Sequence, residues 1–243
     1  MIRTHGQERG MNCVQRRFFG IGLVEDEGTE LSPSWGDAPT APKTLVLSGR
    51  RIMWRLIRNR SYRGFFQTDS HRVAPVCNGL VRQITLATGC IVGPYPEFQT
   101  LVRLLARAEE TGGSLYILGR SASDLQRIEQ NVRDTFPGIR VVGRAVFHPA
   151  SIASVTTAIR KAAPRIVLSG VVTDSFFRWM IASADRIGPS LTIVAPRGAA
   201  RMAGRRSGIP VSVVLTAPLR VFLPILLIAH RIRVVRRAKK AQA

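Results

Sequence analysis

Short apolar runs alternate with helical patterns through the middle of the chain. Residues 44–48 (TLVLS), 114–118 (SLYIL), 140–142, 165–169 (RIVLS) and 191–195 (LTIVA) read as strands. Short apolar runs of this kind suit strands buried on both faces. Residues 51–59 place Ile52, Leu56 and Ile57 on one side and Arg51, Arg55 and Arg58 on another, which is helical spacing. Residues 98–110 form an amphipathic helical pattern stopped by Gly112 and Gly113. Ser121 or Ser123 can cap a helix that runs to about Thr135 and stops at FPGI, 136–139. Residues 149–162 and 175–185 read as two more helices. Strands separated by helices imply βαβ units and a parallel sheet covered on both faces. The expected architecture is a Rossmann-like α/β domain over 16–200. An N-terminal tail, 1–15, precedes it, and a basic, apolar appendage, 201–243, follows it.

In such a sheet, ligands sit beyond the carboxyl ends of the strands. The candidate positions are therefore Ser48-Gly49, Cys77-Asn78-Gly79, Gly119-Arg120-Ser121, Gly143-Arg144, Gly170 through Thr173 and Asp174, and Pro196-Arg197-Gly198. Glycine there admits a ligand to the backbone, and a helix N-terminus behind it favours phosphate. Arg120, Arg144 and Arg197 would add guanidinium forks that suit phosphate. Glycine after a strand is also ordinary turn chemistry, and neither GxGxxG nor GxxxxGK[ST] occurs. Carboxylates are few near these loops: Asp69, Glu97, Asp124 and Asp174. Asp124 is explained as an early-helix residue favoured by the dipole, and Asp174 could be an N-cap. No pair announces general acid/base work.

Charge changes the picture. The 243 residues carry 36 Lys+Arg against 15 Asp+Glu, a formal +21. Such a field favours phosphates: nucleic acid, anionic lipid headgroups or nucleotide-sugars. Since 32 of the basic residues are Arg, an arginine-rich genome would give the same excess, but not its distribution. Residues 50–63 hold six Arg and no acid, and 186–243 hold twelve Lys/Arg and no acid. Nucleic-acid binding is the reading that charge alone suggests. Apart from Trp54 and Tyr62, the basic runs lack the interleaved aromatics that stack on bases, which argues against it. Three unpatterned cysteines, Cys13, Cys77 and Cys90, fit a reducing compartment, and four scattered histidines add no metal signature. Residues 1–15 lack the apolar core of a signal peptide, so the expected location is cytoplasmic.

The segment 114–143, SLYILGRSASDLQRIEQNVRDTFPGIRVVG, resembles the central part of the WecG/TagA/CpsF glycosyltransferases. That part has a strand ending in Leu-Gly, a helix, Phe-Pro-Gly and a strand ending in Val-Gly. The surrounding order agrees over roughly 16–237. Phe19-Gly20-Ile21 resembles the opening strand, and 44–66 the strand and helix that carry Thr-Pro-Asn. PVCNG, 75–79, stands where the family has Pro-Asp-Gly, and GPYPEF, 93–98, where it has Gly-Ser-Asp. RIVLSG, 165–170, precedes the place of Pro-Lys-Gln-Glu, and Trp179 resembles the tryptophan that follows.

The resemblance implies a hexosyltransferase of cell-envelope polysaccharide synthesis, of the teichoic acid, capsule or common antigen type. Such an enzyme moves a hexosamine-type sugar from a UDP-sugar to a lipid-pyrophosphate-linked acceptor at the cytoplasmic membrane face. UDP-sugar is then donor substrate, with no separate cofactor and no metal. The nucleotide-binding positions would be Gly49, Gly79, Gly119, Arg120, Gly143, Arg144, Thr173 and Arg197. The proposed general base of the family, an aspartate, is Asn78 here, and an amide accepts no proton at pH 7. Asp69 and Asp174 are the substitutes the sequence offers. Gly49 stands for the Thr-Pro-Asn asparagine, Tyr95 lies near the Gly-Ser-Asp aspartate, and VVTDSFF, 171–177, replaces Pro-Lys-Gln-Glu. The alternative is a catalytically degenerate member that binds or scaffolds, and oligomerisation stays open.

Residues 209–229, IPVSVVLTAPLRVFLPILLIA, are the longest apolar stretch. They have the length of a membrane span, but Arg220 lies in the middle beside Pro218 and Pro224. Arg231, Arg233, Arg236, Arg237, Lys239 and Lys240 follow. The expected arrangement is a peripheral, interfacial helix pair with Arg220 and the C-terminal cations at anionic headgroups. A buried C-terminal helix and a true span are the alternatives.

Overall fold

The computed structural model describes residues 17–24, 43–68, 70–88, 93–184, 186–188 and 190–205. Asp69 and the appendage from residue 206 on, with its candidate membrane-binding cations, lie outside the described residues. Residues 17–24 open as an antiparallel hairpin of β1 (Arg17–Phe18) and β2 (Ile21–Gly22). Phe19 and Gly20 join them with φ of 53° and 84°, positive at both central positions as a type I′ turn requires. The stretch expected as an opening strand, Phe19-Gly20-Ile21, is therefore largely a turn. After the hairpin the chain reaches the main sheet through a parallel bridge of Leu23 to Val73, with the Val24 N–H donating to the Val73 carbonyl at 3.2 Å.

The main sheet has β3 (Thr44–Ser48), β4 (His71–Pro75), β5 (Ser114–Gly119), β6 (Arg140–Val146), β7 (Ile166–Ser169) and β8 (Leu191–Val194). All neighbours pair in parallel, in the order β4-β3-β8-β7-β5-β6. The helices are α1 (Arg50–Arg58), α2 (Arg60–Phe65), α3 (Asn78–Thr88), α4 (Glu97–Glu110), α5 (Ala122–Thr135), α6 (Ile152–Ala162), α7 (Asp174–Ser183) and α8 (Pro196–Met202). This is the expected parallel, Rossmann-like α/β architecture.

Alternation along the strands divides the core into two layers. Val46, Tyr116, Leu118, Val167 and Val194 face the layer of α1, α2, α3, α6 and α7. Leu45, Leu47, Leu115, Ile117, Ile166, Leu168 and Ile193 face the layer of α4, α5 and α8. β3, β5, β7 and β8 are buried on both sides, which is why they read as continuous apolar runs, whereas β6 alternates exposed and half-buried residues. The helices follow from spacing and caps. In α5, Leu125, Ile128 and Val132 form the buried stripe, at about 1.5–3 kcal/mol per side chain. The Ser121 hydroxyl accepts from the Asp124 N–H at its start. Pro137 follows the last turn and stops it.

The two sheet margins differ. The hairpin and the Leu23 bridge flank β4, whereas β6 is an open edge with Arg140 and Arg144 exposed along it. β6 extends to Val146, beyond the expected 140–142, because Gly143 is not a turn glycine. A Cβ there would fall 2.5 Å from the Tyr116 ring, so the missing side chain makes room for an aromatic on the neighbouring strand. Among the described residues, no helix is long and apolar enough to cross a membrane.

Candidate functional site

Because every strand of the sheet runs the same way, the loops after β3, β4, β5, β7 and β8 share one edge. Asn78 and Gly79 open α3 directly after β4. Thr173 caps α7 after β7, its hydroxyl accepting from the Phe176 N–H at 3.2 Å. Gly49 is the N-cap residue of α1, and Gly119 ends β5 with Arg120 exposed beside it. A Cβ at Gly119 would lie 2.9 Å from Leu125 Cδ2, so glycine lets α5 approach the strand. Asn78 and Thr173 thus lie on the same carboxyl edge, with β3 and β8 between their strands. That separation is about 14 Å at the usual strand spacing. Gly143 and Arg144 are placed elsewhere. Both lie within β6, and Arg144 pairs with Glu129 of α5.

The sheet has a switch point at this edge. α1 leaves β3 toward one layer, while α8 leaves the adjacent β8 toward the other. A crevice opens where neighbouring strands send their helices to opposite faces, and this is where α/β sheets hold ligands.

Two carboxylates are built into the edge. Glu97, at the start of α4, is buried, and its Oε1 accepts from the backbone N–H of Arg197 at 2.5 Å and of Gly198 at 2.9 Å. The segment before it is held by the Tyr95 N–H donating to the Pro75 carbonyl at 2.9 Å. Burial pushes the Glu97 carboxyl up from its ordinary range, against the pull of the two amides and of Arg197. The N-terminal amides of α8, candidates for phosphate on sequence grounds, thus already hold a carboxylate. The Arg197 side chain remains exposed. Sequence reading noted Glu97 only as a nearby acid. The amides that donate to it lie 100 residues away, a pairing no local pattern announces.

Asp174 is the second. It stands at the start of α7, half exposed, with Arg55 Nε and Arg178 Nη2 each 3.7 Å from a carboxylate oxygen. Arg55 also donates to the Val172 carbonyl, and the Tyr62 hydroxyl donates to the Asp174 carbonyl at 3.3 Å. Burial raises the Tyr62 phenol above its ordinary value. These contacts dock α1 and α2 onto the β7–α7 loop. Trp179 is a core residue: it packs on Phe147 and Phe176, and its indole N–H donates to the Thr156 hydroxyl at 2.8 Å.

Arg50 is the cation that the sequence reading passed over within a run of six. It follows Gly49 and lays its guanidinium across Gly79. Among the described residues, no three His, Cys, Asp or Glu side chains group as metal ligands.

A family model described as Glycosyl transferase WecG/TagA/CpsF matches residues 30–214. The chain belongs to this family. The match spans the whole main sheet and all the edge loops, so the glycosyltransferase family assignment and the Rossmann-like fold concern the same residues. No curated protein matches the chain. Asn78, in the first turn of α3 on this edge, is an exposed amide.

Proposed function

We propose that the protein moves a hexosamine-type sugar from a UDP-sugar to a lipid-diphosphate-linked acceptor in cell-envelope polysaccharide assembly. The family match over a parallel sheet with its switch point at the carboxyl edge carries this reading. Gly49, Gly79, Gly119 and Thr173 line the edge as the nucleotide side, with Arg120 and Arg197 exposed nearby as cations for phosphate. Asp174 supplies the edge carboxylate, kept between Arg55 and Arg178, where it can take the acceptor proton. Radiolabelled UDP-hexosamine with a polyprenyl-diphosphate sugar tests this directly. Labelled lipid product is the expected result, and its absence with donor bound would overturn catalysis.

A second reading rests on Asn78, which stands where the resemblance places the family's aspartate. On it the protein is a non-catalytic member that binds lipid-linked sugar or a partner enzyme. Asn78→Asp separates the two. A gain in turnover supports an enzyme with weakened chemistry, whereas none, with donor still bound, supports the binding protein.

The membrane part of the proposal rests on residues 209–240, apolar and then basic, with six Lys/Arg in 231–240. At about 1 kcal/mol per cation near an anionic surface, the run suffices for recruitment alongside modest apolar insertion. The full chain should sediment with anionic but not zwitterionic vesicles and be partly released by salt, which screens charges beyond about 8 Å. Truncation after Ser207 should abolish sedimentation. Equal binding to neutral vesicles would show insertion to dominate.

A further inference from the structure

Arg50 differs from the other described cations of the carboxyl edge. Its Nε is buried and makes no hydrogen bond. Among the described residues, no carboxylate lies within ion-pair distance of it. Its guanidinium lies on a floor made by a glycine. A Cβ at Gly79 would fall 2.1 Å from Nη2, 3.1 Å from Cζ and 3.5 Å from Nε. Any side chain there would push the plane away. Arg50 and Gly79 are the opening residues of α1 and α3, after the adjacent strands β3 and β4. A half-buried guanidinium without a counter-ion among the described residues, its Nη2 end set against a glycine at the ligand edge of an α/β sheet, suits a phosphate contact.

We propose that Arg50, seated on Gly79, forms a diphosphate-binding subsite at the carboxyl edge. It rests on the glycosyltransferase reading for which diphosphate it meets: that of the donor nucleotide or that of a lipid-linked acceptor. The guanidinium supplies charge and a planar pair of N–H donors, and the bare glycine leaves room for its Nη2 end. Asn78, next to Gly79, then stands beside the bound diphosphate.

Calorimetric titration of the full chain with UDP, inorganic pyrophosphate and uridine tests this. Arg50→Ala should weaken UDP and pyrophosphate at least tenfold and leave uridine unchanged. Arg50→Lys should fall between, since an ammonium keeps the charge and loses the fork. Gly79→Ala keeps every charge yet should weaken both anions several-fold, with circular dichroism and the melting temperature confirming the fold. Unchanged anion affinities in Arg50→Ala overturn the subsite, as does an equal loss of uridine or a wild type that binds neither anion. Pyrophosphate bound by wild type and lost in Arg50→Ala, with UDP bound by neither, keeps the subsite and overturns the nucleotide-donor reading. The KM values of Arg50→Ala in the transfer assay assign the source. A rise for UDP-sugar alone places the donor there, and a rise for the lipid-linked acceptor alone places the acceptor there.

Discussion

The two halves of the carboxyl edge treat charge differently. On the side of β7 and β8, every charged group that reaches inward has a partner: Glu97 holds the amides of α8, and Asp174 sits between Arg55 and Arg178. On the side of β3 and β4, Arg50 lies half buried against Gly79, with no hydrogen bond at Nε and no paired carboxylate among the described residues. Paired charges of the first kind hold helices to the sheet, and the pair satisfies itself. The unpaired cation is left with an electrostatic demand that a ligand can meet. The same residue type, five residues apart in α1, thus serves packing at Arg55 and recognition at Arg50.

Breaking the paired side should cost the most. Glu97→Ala leaves the amides of Arg197 and Gly198 buried without an acceptor, and should lower unfolding free energy by about 1–3 kcal/mol in urea titrations. Glu97→Gln keeps an acceptor oxygen and should cost far less. The same pair of variants reports on pH. The folded-state carboxyl takes up a proton at higher pH than the unfolded chain does. The native state therefore binds more protons in the window between the two values, and stability falls as pH rises through it. Glu97→Gln should flatten that slope, and an unchanged slope would remove Glu97 as its source.

Arg55→Ala should have the next largest effect, about 0.5–1.5 kcal/mol, mainly from the bond to the Val172 carbonyl, since its ion pair with Asp174 is partly exposed. The smallest stability change belongs to Arg50→Met. Removing a cation that has no partner among the described residues should leave the unfolding free energy within about 0.5 kcal/mol of wild type. A destabilisation as large as that of Arg55→Ala would show that Arg50 is a packing residue and erase the contrast.

The pattern of apolar runs made most of the sheet legible, because strands buried on both faces need apolar residues on both. β4 escaped because Arg72 and Pro75 interrupt its run, and it sits beside the hairpin rather than at the centre. β6 was cut short because Gly143 resembles a turn glycine until Tyr116 is seen across from it. At the edge, the loop positions Gly49, Asn78, Gly79, Gly119 and Thr173 were readable, since they follow from where strands end. Which charges are spoken for was not. Six arginines in residues 50–63 look alike in sequence, and only tertiary contact separates Arg50 from Arg55. Glu97 shows the same limit, since its partners enter the chain a hundred residues later.

The open margin of the sheet bears on how copies of this protein behave when crowded. Among the described residues no strand pairs with the outer side of β6, and an unpaired row of backbone groups templates edge-to-edge association. Arg140 and Arg144 punctuate it with exposed positive charge, and a second β6 approaching it would bring two more arginines against them. Colloidal behaviour should therefore depend on ionic strength through this strand. Salt, or replacement of both arginines by threonine, should lower the concentration at which the protein self-associates.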